Sequence, residues 1–220
     1  MVLFFQKDRD FHGTTERKEY AMSHRPPPYE LFFAPLEVAL PPQEYEQVRF
    51  AYFASKFGHA GQEREGGGRY FDHPKAAAWI YISELHGRDS RAIVNLLLHD
   101  LSEDTYLLSG YRLSLNFGED IALDVRALTK LPKGKETTDQ YLHRINARGP
   151  QAIIAKICDR LHNLRTLDDC AREKQIRTIK ETEEYHLPLL ISALETCPEP
   201  WSAYAKPLQR MIREAIMRLQ

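Results

Sequence analysis

The sequence places a histidine–aspartate pair at the end of an apolar segment. Residues 92–104 read AIVNLLLHDLSED, so His99, Asp100, Glu103 and Asp104 follow a nearly continuous apolar run. On a helix of about 100° per residue, these four side chains fall within about 140° of one another. The turns before them are apolar on nearly every side, which is typical of a buried helix.

Burying an imidazole and three carboxylates without partners costs roughly several kcal/mol for each group. A divalent cation would turn the same groups into ligands and hydrogen-bond acceptors. The alternative is a helix end that emerges into solvent and leaves Glu103 and Asp104 hydrated.

A metal site here needs ligands from elsewhere, because one histidine and one carboxylate cannot fill a coordination shell. His73, in the motif YFDHP, and Asp159, in IIAKICDRLHNLRTL, are the candidates. Alone, His73 is equally consistent with a capping or surface residue. Asp159 shares a helix face with Ala152 and Ala155. Periodicity makes that face a solvated one, unless the alanines mark a surface that something approaches closely.

The elements that must position these residues are helical in pattern. Predicted helices cover 44–59, His73 to a glycine stop at Gly87, and Asp89 or Ser90 to about Asp104. Further helices are predicted near 119–130, 136–148, 150–167, 173–195 and 199–219. No segment alternates convincingly as a strand, so the predicted fold class is all-α. Pro188 and Pro207 should end or kink their helices.

The first 40 residues differ from the rest of the chain. They are rich in proline and show no sustained periodicity. We therefore expect residues 1–40 to be an irregular N-terminal extension and residues 41–220 to form a single domain.

The composition limits the range of partners. The 220 residues are 43% hydrophobic and 28% charged, as in an ordinary globular protein. Thirty basic and 31 acidic residues give a formal charge of −1, which argues against general binding to nucleic acid. The three cysteines show no C-x-x-C spacing, and no apolar run is long enough to cross a membrane. We expect a cytoplasmic protein that binds neither nucleic acid nor membrane.

Five groups of residues, in order and spacing, resemble the hydrolase domain of RelA/SpoT proteins. They are Arg64…Tyr70 with His73-Pro74; Leu97-Leu98-His99-Asp100 with Glu103-Asp104-Thr105; Thr129-Lys130-Leu131; the run DRLHNLRTL from Asp159; and Lys180-Glu181-Thr182 with Tyr185…Pro188-Leu189. The resemblance covers residues from about 45 to 195. It implies a helical HD-domain bundle that binds Mn²⁺ and removes the 3′-pyrophosphate from guanosine tetra- and pentaphosphate. The kind of protein it implies is a small stand-alone alarmone hydrolase, similar to the metazoan SpoT homologue.

The resemblance also implies a role for each matching residue. The metal ligands would be His73, His99, Asp100 and Asp159. Glu103 and Asp104 match the acidic pair that positions or activates the attacking water. The substrate-binding residues would be Arg64 at the nucleotide pocket, with Asn163 and Thr166 at the nucleoside. Mn²⁺ is expected ahead of Fe²⁺ or Zn²⁺, because the carboxylate share favours a harder ion.

The residues beside Arg64 depart from the family. Glu65 stands where a lysine is usual, and Arg69 replaces a proline. In the family, this lysine lies beside the base of the nucleotide. Glu65 is therefore a further candidate for contact with the base. A carboxylate accepts from an exocyclic amine, which adenine and guanine carry in different places. Adenosine analogues with the same 3′-pyrophosphate are therefore candidate substrates as well. Cations that would offset the substrate's charge are Lys130, Lys133, Lys135, Arg160 and Arg165.

Two other functions remain open. One is an HD phosphohydrolase acting on another nucleotide, and the other is a non-catalytic module that senses such nucleotides. The sequence retains all four ligand positions and the acidic pair, which favours an enzyme. In each case the expected partner is a small-molecule nucleotide, and the sequence leaves the oligomeric state open.

Overall fold

The computed structural model describes residues 26–65, 67–101, 109–168 and 170–220. These residues are mainly helical, and in this part of the chain the sheet-like pairing consists of one isolated bridge, between Glu63 and Arg69. The prediction of an all-α fold is confirmed. The helices are α1 Tyr29–Ala39, α2 Pro42–Gly58, α3 Asp72–Trp79, α4 Ser90–Leu98, α5 Gly110–Phe117, α6 Glu119–Leu128, α7 Thr138–Asn146, α8 Pro150–Arg165, α9 Arg172–Glu181, α10 Ser192–Glu195 and α11 Trp201–Leu219.

Local sequence signals explain where several helices begin. The Asp89 side chain accepts a hydrogen bond from the backbone N–H of Ala92 at the start of α4. Thr137 and Gln140 form a reciprocal capping box at the start of α7. Pro42 and Pro150 occupy the first turns of α2 and α8, where a missing backbone N–H costs nothing.

Helix α8 is the central element of the bundle. It packs against α3, α4, α6, α7 and α11. Every residue from Ala152 to His162 is buried, so α8 has no solvated face over this length. Helices α3 and α4 are also buried on all sides, with residues 73–79 and 92–98 inside the protein. The burial predicted for the apolar segment before His99 is therefore confirmed.

Residues 29–39 are more ordered than the sequence indicated. Irregular structure was predicted through residue 40, but Tyr29–Ala39 forms helix α1. Its Phe32, Phe33 and Leu36 are buried, and the Phe32 ring lies 5.4 Å from Tyr52 and 6.1 Å from Trp79. Packing on α2 and α3 stabilises this helix, and local periodicity does not reveal such distant partners.

The helix that begins near His73 also ends differently from the prediction. It continues beyond α3 as a wider π-helical segment, Ile80–Glu84. The left-handed residue after it is His86, with φ 54°, and not Gly87. Gly87 is required for another reason, because a Cβ atom there would lie 2.1 Å from the Tyr81 ring.

Two further segments bear on the predictions. A second π-helical segment, Thr182–Ile191, contains Pro188 and joins α9 to α10; a proline that cannot donate its N–H accounts for the disturbed helix. Helix α4 ends at Leu98, earlier than the predicted end near Asp104. Within the described residues, no helix has the length and apolar character needed to span a bilayer.

Candidate metal centre and nucleotide cleft

The three buried helices bring the four predicted ligands to one place. His73 is the second residue of α3, His99 and Asp100 directly follow α4, and Asp159 lies in α8. His73, His99 and Asp159 are 2–3% exposed, whereas the Asp100 side chain is 18% exposed. The cluster is thus buried except beside Asp100, the most exposed of its four side chains.

The four side chains face one another with their ligand atoms. His73 Nε2 lies 3.0 Å from Asp159 Oδ1 and 3.4 Å from Asp100 Oδ2. His99 Nε2 lies 3.2 Å from Asp100 Oδ1, 3.6 Å from Asp159 Oδ1 and 3.3 Å from His73 Nε2. One ligand atom each from His73, His99 and Asp159 lies within 4.8 Å of the others.

These separations fit the edges of a metal's coordination shell. At metal–ligand distances of about 2.1 Å, neighbouring ligands lie about 3.0 Å apart in an octahedron and about 3.4 Å apart in a tetrahedron. Four of the five atom–atom distances above lie within this range, and the fifth, 3.6 Å, lies slightly above it. Two imidazole nitrogens 3.3 Å apart cannot both be protonated without repulsion, so the arrangement favours a cation between them.

Both imidazoles are held in the tautomer that a metal requires. His99 Nδ1 lies 2.8 Å from the Leu96 carbonyl, to which only a protonated Nδ1 can bond. His162 Nδ1 lies 3.4 Å from the Arg64 guanidinium, a donor, and 2.7 Å from His73 Nδ1. His162 Nδ1 is therefore the acceptor and His73 Nδ1 the donor. In both ligands Nε2 is therefore the nitrogen that faces the carboxylates and on which a metal would replace a proton.

Asp159 is fixed by two further residues of its own helix. The Lys156 ammonium donates to Oδ2 at 2.6 Å, and the Asn163 amide donates to Oδ1 at 2.6 Å. Arg64 in turn donates to the Asn163 amide oxygen at 2.7 Å. Two residues predicted to bind substrate, Arg64 and Asn163, are thus linked to a predicted metal ligand. Tyr70 donates to Asp100 Oδ2 at 3.1 Å and gives that carboxylate an equivalent support.

The ionisation of the cluster shows that its centre attracts positive charge. Burial would raise the pKa of Asp159, but Lys156 and the two imidazoles hold that pKa well below its usual range. Burial would lower the pKa of His99, yet the carboxylates of Asp100 and Asp159 hold it well above its usual value. Burial, together with His73 and Arg64, places the pKa of His162 well below normal, consistent with a neutral acceptor.

A cleft of about 930 Å³ opens beside the cluster. Its lining includes His73 and His162 together with three predicted substrate residues: Arg64, Glu65 and Thr166. The Thr166 hydroxyl donates to the His162 carbonyl at 3.0 Å and closes the end of α8. The structure therefore brings three of the four predicted substrate residues to one opening next to the predicted ligands; Asn163 is not part of its lining.

A second recess of about 330 Å³ lies next to Lys156. Lys130, Lys133, Arg160 and His186 line it, and its Tyr141 ring lies 5.3 Å from the Lys156 ammonium. The recess thus adjoins the side chain that supports Asp159. Three of the predicted charge-offsetting cations lie here, whereas Arg165 forms an ion pair with Glu84 at 2.6 Å and Lys135 lies in an exposed turn.

Glu103 and Asp104, the predicted acidic pair, lie outside the described residues. His162, Lys156 and Tyr70 were not singled out as functional from the sequence. A periodicity argument places Lys156 and His162 in solvent, since neither fits an apolar stripe. Only their burial and their contacts with Asp159 and His73 show their place in the centre.

Comparisons with known proteins agree with this geometry. The family model described as HD domain matches residues 51–190. A GTP pyrophosphokinase of Streptomyces coelicolor is 38% identical over 151 residues, which cover 65% of this chain and 17% of that protein. A guanosine-3′,5′-bis(diphosphate) 3′-pyrophosphohydrolase of Aquifex aeolicus is 37% identical over 153 residues, covering 67% and 22%. The bifunctional (p)ppGpp synthase/hydrolase SpoT of Escherichia coli is 32% identical over 162 residues, covering 70% and 23%.

A solved structure of a metazoan orthologue of SpoT, described as hydrolysing ppGpp and playing a role in starvation responses, supports the fold. Its TM-score with this chain is 0.59 at 20% identity, and the match covers 80% of this chain and 98% of that one. The chain spans about a fifth of the length of the curated relatives above. The resemblance to the RelA/SpoT hydrolase region is confirmed, and the chain belongs to the HD domain family.

Proposed function

We propose that this chain is a metal-dependent hydrolase that removes the 3′-pyrophosphate from alarmone nucleotides. The substrates are guanosine 3′,5′-bis(diphosphate) and guanosine pentaphosphate, with the adenosine analogues as further candidates. The products are pyrophosphate and a nucleoside 5′-diphosphate or 5′-triphosphate. The names of several relatives support this choice of substrate.

One observation carries the proposal: a buried His–His–Asp cluster lies beside a cleft that is lined by one of its members, His73, together with Arg64, Glu65 and Thr166. The Asp100 side chain is 18% exposed, and His73 lines the cleft, so two of the four candidate ligands lie where a bound nucleotide could approach the cluster.

We propose Mn²⁺ as the metal, held by His73, His99, Asp100 and Asp159. Such an ion would supply Lewis acidity toward a phosphoryl oxygen and lower the pKa of water. Mixed imidazole and carboxylate donors fit Mn²⁺, Fe²⁺ or Zn²⁺, and two carboxylates favour the harder ion. Lys156 and Asn163 hold Asp159 in place, while His162 and the Leu96 carbonyl orient the two imidazoles.

The other residues act on the nucleotide and on water. Glu103 and Asp104 orient or deprotonate the attacking water. Arg64, at the junction of the cluster and the cleft, binds phosphate or ribose oxygens through its planar guanidinium.

Of the four basic side chains lining the described part of the cleft, three are in ion pairs, with Asp72, Glu84 and Glu65. A cleft balanced in this way suits a base and ribose. Lys130 and Lys133, at the second recess, offset phosphate charge.

The proposal is tested by turnover of guanosine and adenosine 3′,5′-bis(diphosphate) with Mn²⁺, followed by chromatography of pyrophosphate and nucleoside diphosphate. Asp159→Asn should abolish turnover and reduce the bound Mn²⁺ measured by mass spectrometry. Absence of turnover of both nucleotides by the manganese-loaded wild-type protein would refute the proposal.

Asp124 provides a matched control. It is fully buried, like Asp159, but its partners are Arg91, Arg148 and Asn95 and include no imidazole. Asp124→Asn should lower thermal stability and retain stoichiometric Mn²⁺. If both variants lost the metal equally, general unfolding and not ligand loss would explain the result.

A further inference from the structure

A backbone pairing bounds the loop that carries Glu65. The bridge between Glu63 and Arg69 closes it. Inside the bridge the backbone N–H of Arg64 donates to the Gly68 carbonyl at 3.1 Å. Gly67 and Gly68 have φ of 86° and 82°, which other residues rarely adopt. The contacts of Arg64 and Gly68 thus bring this part of the loop, with Glu65, to the cleft.

Lys174 approaches the same part of the cleft from helix α9. The first turn of α9 is anchored on both sides of this lysine. The Gln175 amide donates to the carbonyls of Leu167 and Cys170, and Arg172 donates to the carbonyl of Leu219. The lysine thus projects from a fixed backbone.

The two side chains form an ion pair that lines the cleft together with Arg64 and Thr166. The hydrogen bond and charge of Lys174 lower the pKa of Glu65, so the carboxylate is ionised at neutral pH. The side chains are 63% and 36% exposed, for Glu65 and Lys174 respectively. Exposed ion pairs are weak and readily reached by a ligand. A carboxylate has two oxygens that accept hydrogen bonds, and an ammonium has three hydrogens to donate. Each side chain can therefore bind a ligand in addition to its ion-pair partner.

We infer that Glu65 and Lys174 act together as the element that distinguishes one purine from another. The inference rests on the proposed function. Along its hydrogen-bonding edge, guanine has the O6 acceptor next to the N1–H donor. Adenine has the N6 donor next to the N1 acceptor, in the reverse order. An ammonium and a carboxylate at fixed positions complement one of these orders for a base held in one pose.

Pairing with Lys174 changes the role that the sequence alone indicated for Glu65. As a lone acceptor, Glu65 would bind the exocyclic amine of either purine. As half of a pair it has a donor at its side, so the order of donor and acceptor carries the specificity. Selectivity then depends on a residue more than a hundred positions away in the chain.

The decisive experiment exchanges the two charges in the double variant Glu65→Lys/Lys174→Glu. The net charge is unchanged, and donor and acceptor change places. The ratio of kcat/KM for guanosine over adenosine 3′,5′-bis(diphosphate) should change by about tenfold or more. The change should favour the nucleotide that the wild-type protein hydrolyses less well. The single exchanges bring like charges together and should raise KM for both nucleotides.

A matched control exchanges an exposed pair on another helix, Arg210→Glu/Glu214→Arg on α11. It should leave the ratio unchanged. A neutral pair, Glu65→Gln/Lys174→Gln, should bring the ratio toward one, and it serves as the test if the exchanged pair does not fold.

The outcomes separate this inference from the proposed function. If the wild-type protein hydrolyses neither nucleotide, the proposed function fails. If it hydrolyses them but without preference, or if both cleft variants keep the wild-type ratio within about twofold, the inference on Glu65 and Lys174 is overturned and the proposed function stands.

Discussion

Replacing Lys156 by methionine tests whether Asp159 is a metal ligand. The lysine is buried, and its ammonium lies 2.6 Å from Asp159 Oδ2. Methionine keeps most of the volume and removes the charge. Removing one partner of a buried ion pair typically costs about 3–5 kcal/mol, because the other charge remains without compensation. We expect a loss of this size in the free energy of unfolding of the metal-free protein.

Manganese should reduce that loss. A dication between His73, His99 and Asp159 compensates the carboxylate that Lys156 no longer neutralises, and the ammonium no longer repels the ion. If the manganese-bound protein loses about 1.4 kcal/mol less than the metal-free protein, the thermodynamic cycle requires about tenfold tighter Mn²⁺ binding by the variant. Turnover should nevertheless fall, because Asp159 Oδ2 has lost its positioning contact.

The measurements are urea unfolding followed by circular dichroism, with chelator or with saturating Mn²⁺, and calorimetric titration of the metal. Arg148→Met is the control, because Arg148 binds the buried Asp124 carboxylate at 2.8 Å, outside the ligand cluster. Its effect on the metal-free and metal-bound proteins should be equal. If Lys156→Met also had equal effects in both states, Lys156 would support packing alone and Asp159 would not be a ligand.

Three further predictions concern single positions. His162→Phe should weaken Mn²⁺ binding by roughly 10–100-fold, because His73 loses the acceptor 2.7 Å from its Nδ1; calorimetry would show it, and unchanged affinity would exclude the orienting role. Glu103→Gln should bind Mn²⁺ normally while turnover falls about 100-fold or more, and wild-type turnover would contradict its role toward water. Gly87→Ala should lower stability by about 1–3 kcal/mol in urea unfolding, because the new Cβ meets the Tyr81 ring, whereas Gly110→Ala, with open space around it, should be nearly neutral.

Short-range features were predicted well from the sequence. The Asp89 cap at the start of α4 lies where it was predicted, and α2, α7 and α8 begin within two residues of their predicted starts. Such start signals act between residues a few positions apart. The apolar run before His99 predicted burial because a helix without a polar face must be covered on all sides. The ordered motifs added the identity of the four ligand candidates.

Features that depend on distant contacts were missed. Helix α1 forms because Phe32 and Phe33 pack on α2 and α3, so its own sequence does not disclose it. The face of α8 that contains Asp159 looked solvated by periodicity, yet it is buried, because α8 has neighbours on every side. Periodicity reports how polar a face is, and a polar face is buried when other helices bring compensating charges to it.

The sequence by itself determined the all-α class, the buried helix that ends in His99 and Asp100, and the set of residues able to hold a metal. These follow from side-chain chemistry and helical spacing, which are local properties. Only the tertiary structure decided that the four side chains face one another at 3.0–3.6 Å. It also decided that His162 orients His73 and that Lys174 pairs with Glu65. Those contacts join residues far apart in the chain, and their distances are set by the packing of α3, α4 and α8 and by the anchoring of α9.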